Sequence, residues 1–407
     1  MIEKKTQIPA INNILVLLLL LTSSLASRIT NSNYFFVSCI IIAGIQFIKL
    51  RLKFDKGFIL LFLGYLVLTA LYFIKFGYVE ILASIRFFFK ILFSYLVIKI
   101  TGIYFFESIE KVVYYLSAIS LFIFGFQYFS PNAIFGLNNI IMDLFPVLKE
   151  QEGFRNDSWI FFNFNYEGLG RNSGFMWEPG AFAAILVISM LIAITRSKLK
   201  INKQIIIFSL ALFSTFSTTG FISLGIVAIY IVLNINKKAL LIIIPVMILI
   251  GFYISTLDFI TPKIIKQYST RNNVINYASD YTEVDIVSLG RFGSMVADFE
   301  DFKKNPLIGI GLQNKEQGQS IYNQFVHTNG LTIYLVMFGL FGFLFFIYNV
   351  TKTFGVLTKH YNVKGAFVFT TLILIVSFSN PVLVTPLFLS FQIGYLAFNK
   401  PNRLTLA

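Results

Sequence analysis

The strongest constraint on this chain is a succession of apolar runs. Many are close to the length that crosses a bilayer as helix, about 20 residues. The runs are continuous, not alternating, which favours helices over a β-barrel. A chain of 407 residues that is 57% hydrophobic, with a mean hydropathy of +0.76, has too little polar sequence for a soluble domain of that size. The expected fold is therefore an all-α polytopic membrane protein, one integral membrane domain over residues 1–407. About twelve spans are expected: Ile11–Ser27, Tyr34–Ile48, Gly57–Ile74, Ile81–Ile100, Lys111–Phe129, Glu178–Thr195, Lys203–Ser217, Gly220–Leu233, Leu240–Leu257, Thr328–Val350, Gly365–Phe378 and Pro381–Phe398. The start, E-K-K followed by Ile11–Ser27, resembles a secretory signal. Because more spans follow, it is read as an uncleaved first helix.

Charge gives the orientation. The net charge of +14 would point to nucleic acid in a soluble protein. Here the basic residues collect on one set of loops, the pattern of cytoplasmic loops, so no nucleic-acid partner is expected. With the N-terminus inside, the inner segments are E-K-K, K-L-R-L-K-F-D-K, the region of Lys99 and Lys111, R-S-K-L-K-I-N-K, N-I-N-K-K, the lysines of 352–364 and the tail. They hold about 19 of the 33 Lys and Arg, against Glu3, Asp55, Glu107 and Glu110. Both termini are then cytoplasmic. The lone cysteine, Cys39, cannot form a disulfide within the chain and argues against a cysteine metal site.

Two long polar segments, residues 130–177 and 258–327, then fall on the outer face. Segments this long are functional or disordered more often than mere connectors. Both carry helical patterns. The first contains A-I-F-G-L-N-N-I-I-M-D-L-F. The second places Phe292, Met295, Val296, Phe299 and Phe302 on one helical face and Asp298, Glu300, Asp301 and Lys303 elsewhere. Such amphipathic helices can lie flat on a membrane surface.

The candidate chemistry is concentrated in these segments. Arg171 stands in G-L-G-R-N-S-G, where glycines let a ligand approach the backbone, and Glu178 precedes Pro179 at the start of a helix. Arg291 opens the amphipathic helix, which N-P-L-I-G-I-G stops and turns. Those glycines are no nucleotide fingerprint, since there is no βαβ context. His327 lies at the next membrane entry, whereas the other histidine, His360, lies among cytoplasmic lysines. Arg86 and Lys90 sit at i and i+4 on the fourth span and share a face, and charges at that depth usually face a cavity or a partner. Each residue also has a plainer use: headgroup anchoring for the arginines, a helix-start acid for Glu178, a polar helix start for His327 and snorkelling for Arg86 and Lys90. Together they make an anion site that suits a phosphate-bearing lipid substrate. With no D-x-D in the outer loops, divalent metal is disfavoured, although Glu178 and the acids of the second segment are available as ligands. No G-x-S-x-G or H-E-x-x-H supports a hydrolase.

The order R-N-S-G-F-M-W-E-P-G-A-F-A, S-T-F-S-T-T-G, R-F-x(12)-N-P-L-I-G-I-G, H-T-N-G-L and F-G-L-F-G, between Arg171 and Gly342, resembles the O-antigen polymerase (Wzy-type) and O-antigen ligase superfamily of bacterial membrane glycosyltransferases. The resemblance implies a GT-C-like fold, a bacterial cytoplasmic membrane location, and polyprenyl-pyrophosphate-linked glycans as donor and acceptor. It implies no cofactor or metal, and a chain-length regulator among the conceivable partners. Arg171 and Arg291 match arginines taken to bind pyrophosphate, and His327 matches the proposed base. Thr218, where the ligase pattern has arginine, leans towards polymerisation of repeat units into O-antigen or capsular polysaccharide. A ligase moving glycan to another acceptor, and a lipid flippase or transporter, are the alternatives.

Overall fold

The computed structural model describes residues 9–145, 156–165, 170–235, 287–288, 290–312, 325–326 and 328–399. The expected span Leu240–Leu257 and His327 lie outside the described residues. The helices are α1 (Ala10–Ser24), α2 (Asn33–Lys49), α3 (Lys56–Phe76), α4 (Ile81–Thr101), α5 (Phe105–Phe129), α6 (Pro131–Leu144), α7 (Pro179–Arg196), α8 (Lys203–Ser214), α9 (Thr218–Ile235), α10 (Arg291–Lys304), α11 (Gly330–His360), α12 (Ala366–Ser379) and α13 (Pro386–Ile393). Four stretches are long and apolar enough to cross a membrane: α3, α7, α11 and Ile81–Phe129, in which a 3-10 turn links α4 to α5. α1, α2, α8, α9, α12 and α13 with the turn after it are shorter and apolar. The protein is thus a mainly helical, membrane-embedded chain. The helical expectation needs one amendment: two strand pairs interrupt it, β1 (Asn156–Ser158) antiparallel to β2 (Asn163–Asn165), and β3 (Val287–Ser288) parallel to β4 (Phe325–Val326).

α7 is the axis of the bundle. Its sequence is apolar on every side, and a helix of that kind belongs inside. Every residue from Pro179 to Thr195 is buried, with α5, α8, α9 and α12 around it. α3 is the opposite case, an apolar helix with only four buried residues. It is tied to α11 by hydroxyls. Tyr65 Oη meets Tyr334 Oη at 2.7 Å and donates to Gln392 at 2.8 Å, and Tyr72 Oη donates to the Met337 carbonyl at 2.9 Å. Away from water such groups need protein partners.

α11 departs from the uninterrupted span expected over Thr328–Val350. It runs to His360 and breaks at Gly339, where φ is 61°. The break frees carbonyls on one side and amides on the other. The N-P-L-I-G-I-G turn fills it: Ile310 N and Gly311 N donate to the carbonyls of Val336 and Met337, both at 2.9 Å. The carbonyls of Pro306 and Leu307 accept from Leu340 N at 2.8 Å and Phe341 N at 3.1 Å. Hydrocarbon offers no other partner to those groups, so the turn is a plug as well as a stop. The expected last span, Pro381–Phe398, also differs. It is the eight-residue α13 and a 3-10 turn (Gly394–Phe398), because the chain first turns at Val382–Thr385.

α10 is the expected amphipathic helix, with its small residues and two of its acids turned inward. Gly293, Ser294, Ala297, Asp298 and Asp301 are the buried residues. Phe299 is exposed. Thr332 Oγ1 donates to Asp298, and Lys304 pairs with Asp301 at 2.8 Å.

Polar contacts divide between two ends. At one end Lys99 pairs with buried Asp55 at 2.8 Å, beneath Tyr95 Oη. Arg196 pairs there with Glu107 at 2.8 Å and with Glu110. At the other end Trp177 N donates to the Ser24 carbonyl, Lys75 Nζ to Asn305 Oδ1 at 2.6 Å, and Thr219 Oγ1 meets Ser379 Oγ at 2.7 Å. Arg171, Glu178 and Arg291 gather at this second end.

Candidate functional site

The G-R-N-S-G segment folds back onto the turn after α8, and Asn172 is the reason. Its backbone N donates to the Ser214 carbonyl at 2.9 Å. Its buried amide donates to Ser214 Oγ at 3.0 Å and Ser120 Oγ at 3.2 Å, and accepts from Gly174 N at 2.8 Å. Gly174 has φ 53° and lies against the Phe182 ring, where a Cβ would stand only 2.6 Å from the ring. The segment is therefore clamped between α7 and α8, and Arg171, one residue earlier, is delivered to the head of the bundle. Its Nε donates to the Thr215 carbonyl at 3.1 Å.

Arg291 is the first residue of α10. Its Nε donates to the Ser379 carbonyl at 2.9 Å, at the end of α12. One of its terminal nitrogens lies 4.0 Å from Glu178 Oε1. Glu178 is the residue before α7, with extended backbone. The three charges sense one another. Burial lowers the basicity of Arg171, the Glu178 carboxylate opposes that shift, and the Arg291 charge reinforces it. So the structure unites Arg171, Glu178 and Arg291, which are separated by up to 120 positions in the chain.

Both arginines spend Nε on a main-chain carbonyl. Among the described residues, no hydrogen bond occupies their terminal amino groups. Two anchored forks near one carboxylate carry a net positive charge and bidentate donors, the chemistry suited to a phosphate oxyanion. Glu178 is partly exposed and Arg291 less so, so the forks are reachable from the open end.

The two flanks of His327 in the chain are placed. β4 pairs with β3 just before α10, and Thr328 N donates to Ser294 Oγ of α10 at 3.0 Å. Asn329 caps α11, accepting from Leu331 N at 3.1 Å and Thr332 N at 3.2 Å, and its Nδ2 reaches the Arg291 carbonyl at 3.5 Å. Arg86 is exposed on α4 and Lys90 half-buried one turn deeper. No described contact joins either to the arginine cluster. One turn further, Ser94 Oγ donates to the Pro386 carbonyl at 2.7 Å. Among the described residues, no three carboxylate, imidazole or thiol groups come together that could hold a metal ion.

Sequence reasoning missed three contributors. The carbonyls of Thr215 and Ser379 orient the arginines through the backbone, which leaves no side-chain signal. The third is Asn380, in F-S-N-P-V, whose side chain lies against the same face of Gly180 as the Glu178 carboxylate. Asn-Pro between apolar runs reads as a turn, and nothing local marks its side chain as part of a site. Compared with models of known protein families and with curated proteins, the chain matches none.

Proposed function

We propose that this protein is a membrane glycosyltransferase that polymerises polyprenyl-pyrophosphate-linked oligosaccharide repeat units on the outer face of the bacterial cytoplasmic membrane. The observation that carries the proposal is the pair of anchored arginine forks beside Glu178, at the end of the bundle where both long polar segments converge. In this reading the chain has about twelve spans, a GT-C-like arrangement and cytoplasmic termini, so that the cluster faces outward.

In the reaction a hydroxyl of the acceptor repeat unit attacks the anomeric carbon of the donor sugar. The bond from that carbon to the pyrophosphate oxygen breaks, and the electron pair leaves with the pyrophosphate. Arg171 and Arg291 hold the departing pyrophosphate, which gains a third negative charge as the bond breaks. Each charge-assisted hydrogen bond of this kind is worth roughly 1.5–3 kcal/mol. His327 takes the hydroxyl proton, a contribution of about 10²–10⁴-fold in rate. Glu178 orients the histidine or the acceptor sugar. Arg86 and Lys90 supply further positive charge to lipid phosphate on the flank. A ligase would use the same donor with a different acceptor. Thr218 in place of a ligase arginine supports the polymerase.

The test is polymerisation in native membranes by Arg291→Ala and His327→Ala at wild-type expression, with lipid-linked product resolved by length. Short, unextended product from both is expected. Full-length glycan from both refutes the mechanism.

A further inference from the structure

Asn380 ends α12 and begins the turn into α13. Its backbone is held on both sides: Asn380 N donates to the Ser377 carbonyl at 3.2 Å, and its own carbonyl accepts from Val382 N at 2.8 Å. The side chain is fully buried. Among the described residues, neither of its polar atoms, Oδ1 or Nδ2, has a hydrogen-bond partner. Buried amides are nearly always paired, and leaving one unpaired destabilises the fold.

The main chain that carries the amide is fixed: Gly330, at the start of α11, backs onto Asn380 and Pro381, and a Cβ there would stand 2.5 Å from Pro381 Cα. On the other side lies the first turn of α7. A Cβ on Gly180 would stand 3.1 Å from Asn380 Nδ2, 3.3 Å from Asn380 Oδ1 and 3.3 Å from Glu178 Oε1. The amide and the Glu178 carboxylate thus crowd the same face of Gly180, where the helix start presents main-chain N–H groups that the helix itself does not use. The residue before Asn380, Ser379, supplies the carbonyl that orients Arg291.

A primary amide is satisfied by a group that both donates and accepts. A pyrophosphate only accepts, so it would leave Oδ1 unmatched. Sugar hydroxyls and acetamido groups do both. Resting on the function proposed above, we infer that Asn380 is a specificity-determining residue that binds the first sugar of the lipid-linked substrate, the one bonded to the pyrophosphate held by Arg171 and Arg291. It would read the hydroxyl or acetamido group that this sugar turns towards the first turn of α7.

The test compares two probes on the full-length protein in nanodiscs: a short prenyl pyrophosphate alone, and the same prenyl pyrophosphate carrying one hexose or one 2-acetamido hexose. Wild-type protein should bind at least one sugar-bearing probe about tenfold more tightly than the bare one. Asn380→Leu, an apolar side chain of similar size, should erase that increment while leaving affinity for the bare probe unchanged, and should not lower the melting temperature. Asn380→Ala, which admits water, serves as the second variant and should lose the increment in the same way. An increment that survives both variants, or a wild-type protein without one, overturns the inference. So does equal weakening of both probes, which would make Asn380 a structural residue satisfied by water. Arg291→Ala separates this inference from its foundation: it should weaken both probes alike, and if it weakens neither, the pyrophosphate site itself falls.

Discussion

Gly309→Ala should damage the protein severely. Gly309 has φ +74° and lies in the break of α11. A Cβ would stand 2.7 Å from both Gly339 N and the Met337 carbonyl oxygen, and closer still to the Val336 carbonyl oxygen. All are main-chain atoms, so no side-chain rotation relieves the clash. The turn has to lift out, and the four hydrogen bonds that seal the break are lost with it. At about 1 kcal/mol each, with about 1–2 kcal/mol for left-handed backbone at a residue other than glycine, the cost is about 5–6 kcal/mol. That is near the upper end for a single substitution. Gly339→Ala meets the same wall from the other side, 2.5 Å from Gly309 N. The two changes break one contact, so the double variant should cost much less than the sum. Reversible unfolding in mixed detergent micelles measures the loss. Gly355→Ala, also in α11 with nothing within 4 Å of the new Cβ, is the control and should gain up to about 1 kcal/mol. The reasoning is refuted if Gly309→Ala unfolds within about 1 kcal/mol of wild type while the control behaves as expected.

Three further predictions follow from the site and the opposite end. Arg171→Lys and Arg291→Lys keep the charge but lose the Nε bond to the Thr215 or Ser379 carbonyl. Each should lower polymerisation by about 10- to 100-fold in initial-rate measurements, nearly as much as alanine; wild-type rates from the lysine variants would show that charge alone suffices. Lys99→Met strands the buried Asp55 carboxylate and should destabilise the protein by about 3–5 kcal/mol, with much of that recovered in Lys99→Met/Asp55→Leu, read by the same unfolding assay. An imidazole base works only when unprotonated, so polymerisation should fall as the medium is acidified. That dependence should disappear from the residual activity of His327→Ala, which solution assays with purified lipid-linked substrate will measure.

Much of the architecture was legible in local pattern. Residues 203–233 read as two helices because S-T-F-S-T-T-G interrupts them, and α8 and α9 are separated there. The apolar spacing after Arg291 read as an amphipathic helix, and α10 covers Arg291–Lys304. Arg171, Glu178 and Arg291 stood out as polar groups beside apolar runs, and they do converge. The break at Gly339 was hidden because the sequence around it is apolar throughout. Hydropathy measures transfer to a nonpolar medium and is blind to a change in backbone direction.

Taken alone, the sequence determines that this chain is helical and membrane-embedded, and which of its segments are polar, since run length and helical period are local properties. Only the tertiary structure decides which face of α10 turns inward. A hydrophobic residue is equally at home against lipid or protein, whereas Asp298 and Asp301 must find partners inside. Likewise, only the fold brings Arg171 to Thr215 and Arg291 to Ser379 and Glu178, and leaves the Asn380 amide unpaired beside them. Those relations join residues far apart in the chain through backbone carbonyls and one glycine surface, and no periodicity in the sequence encodes them.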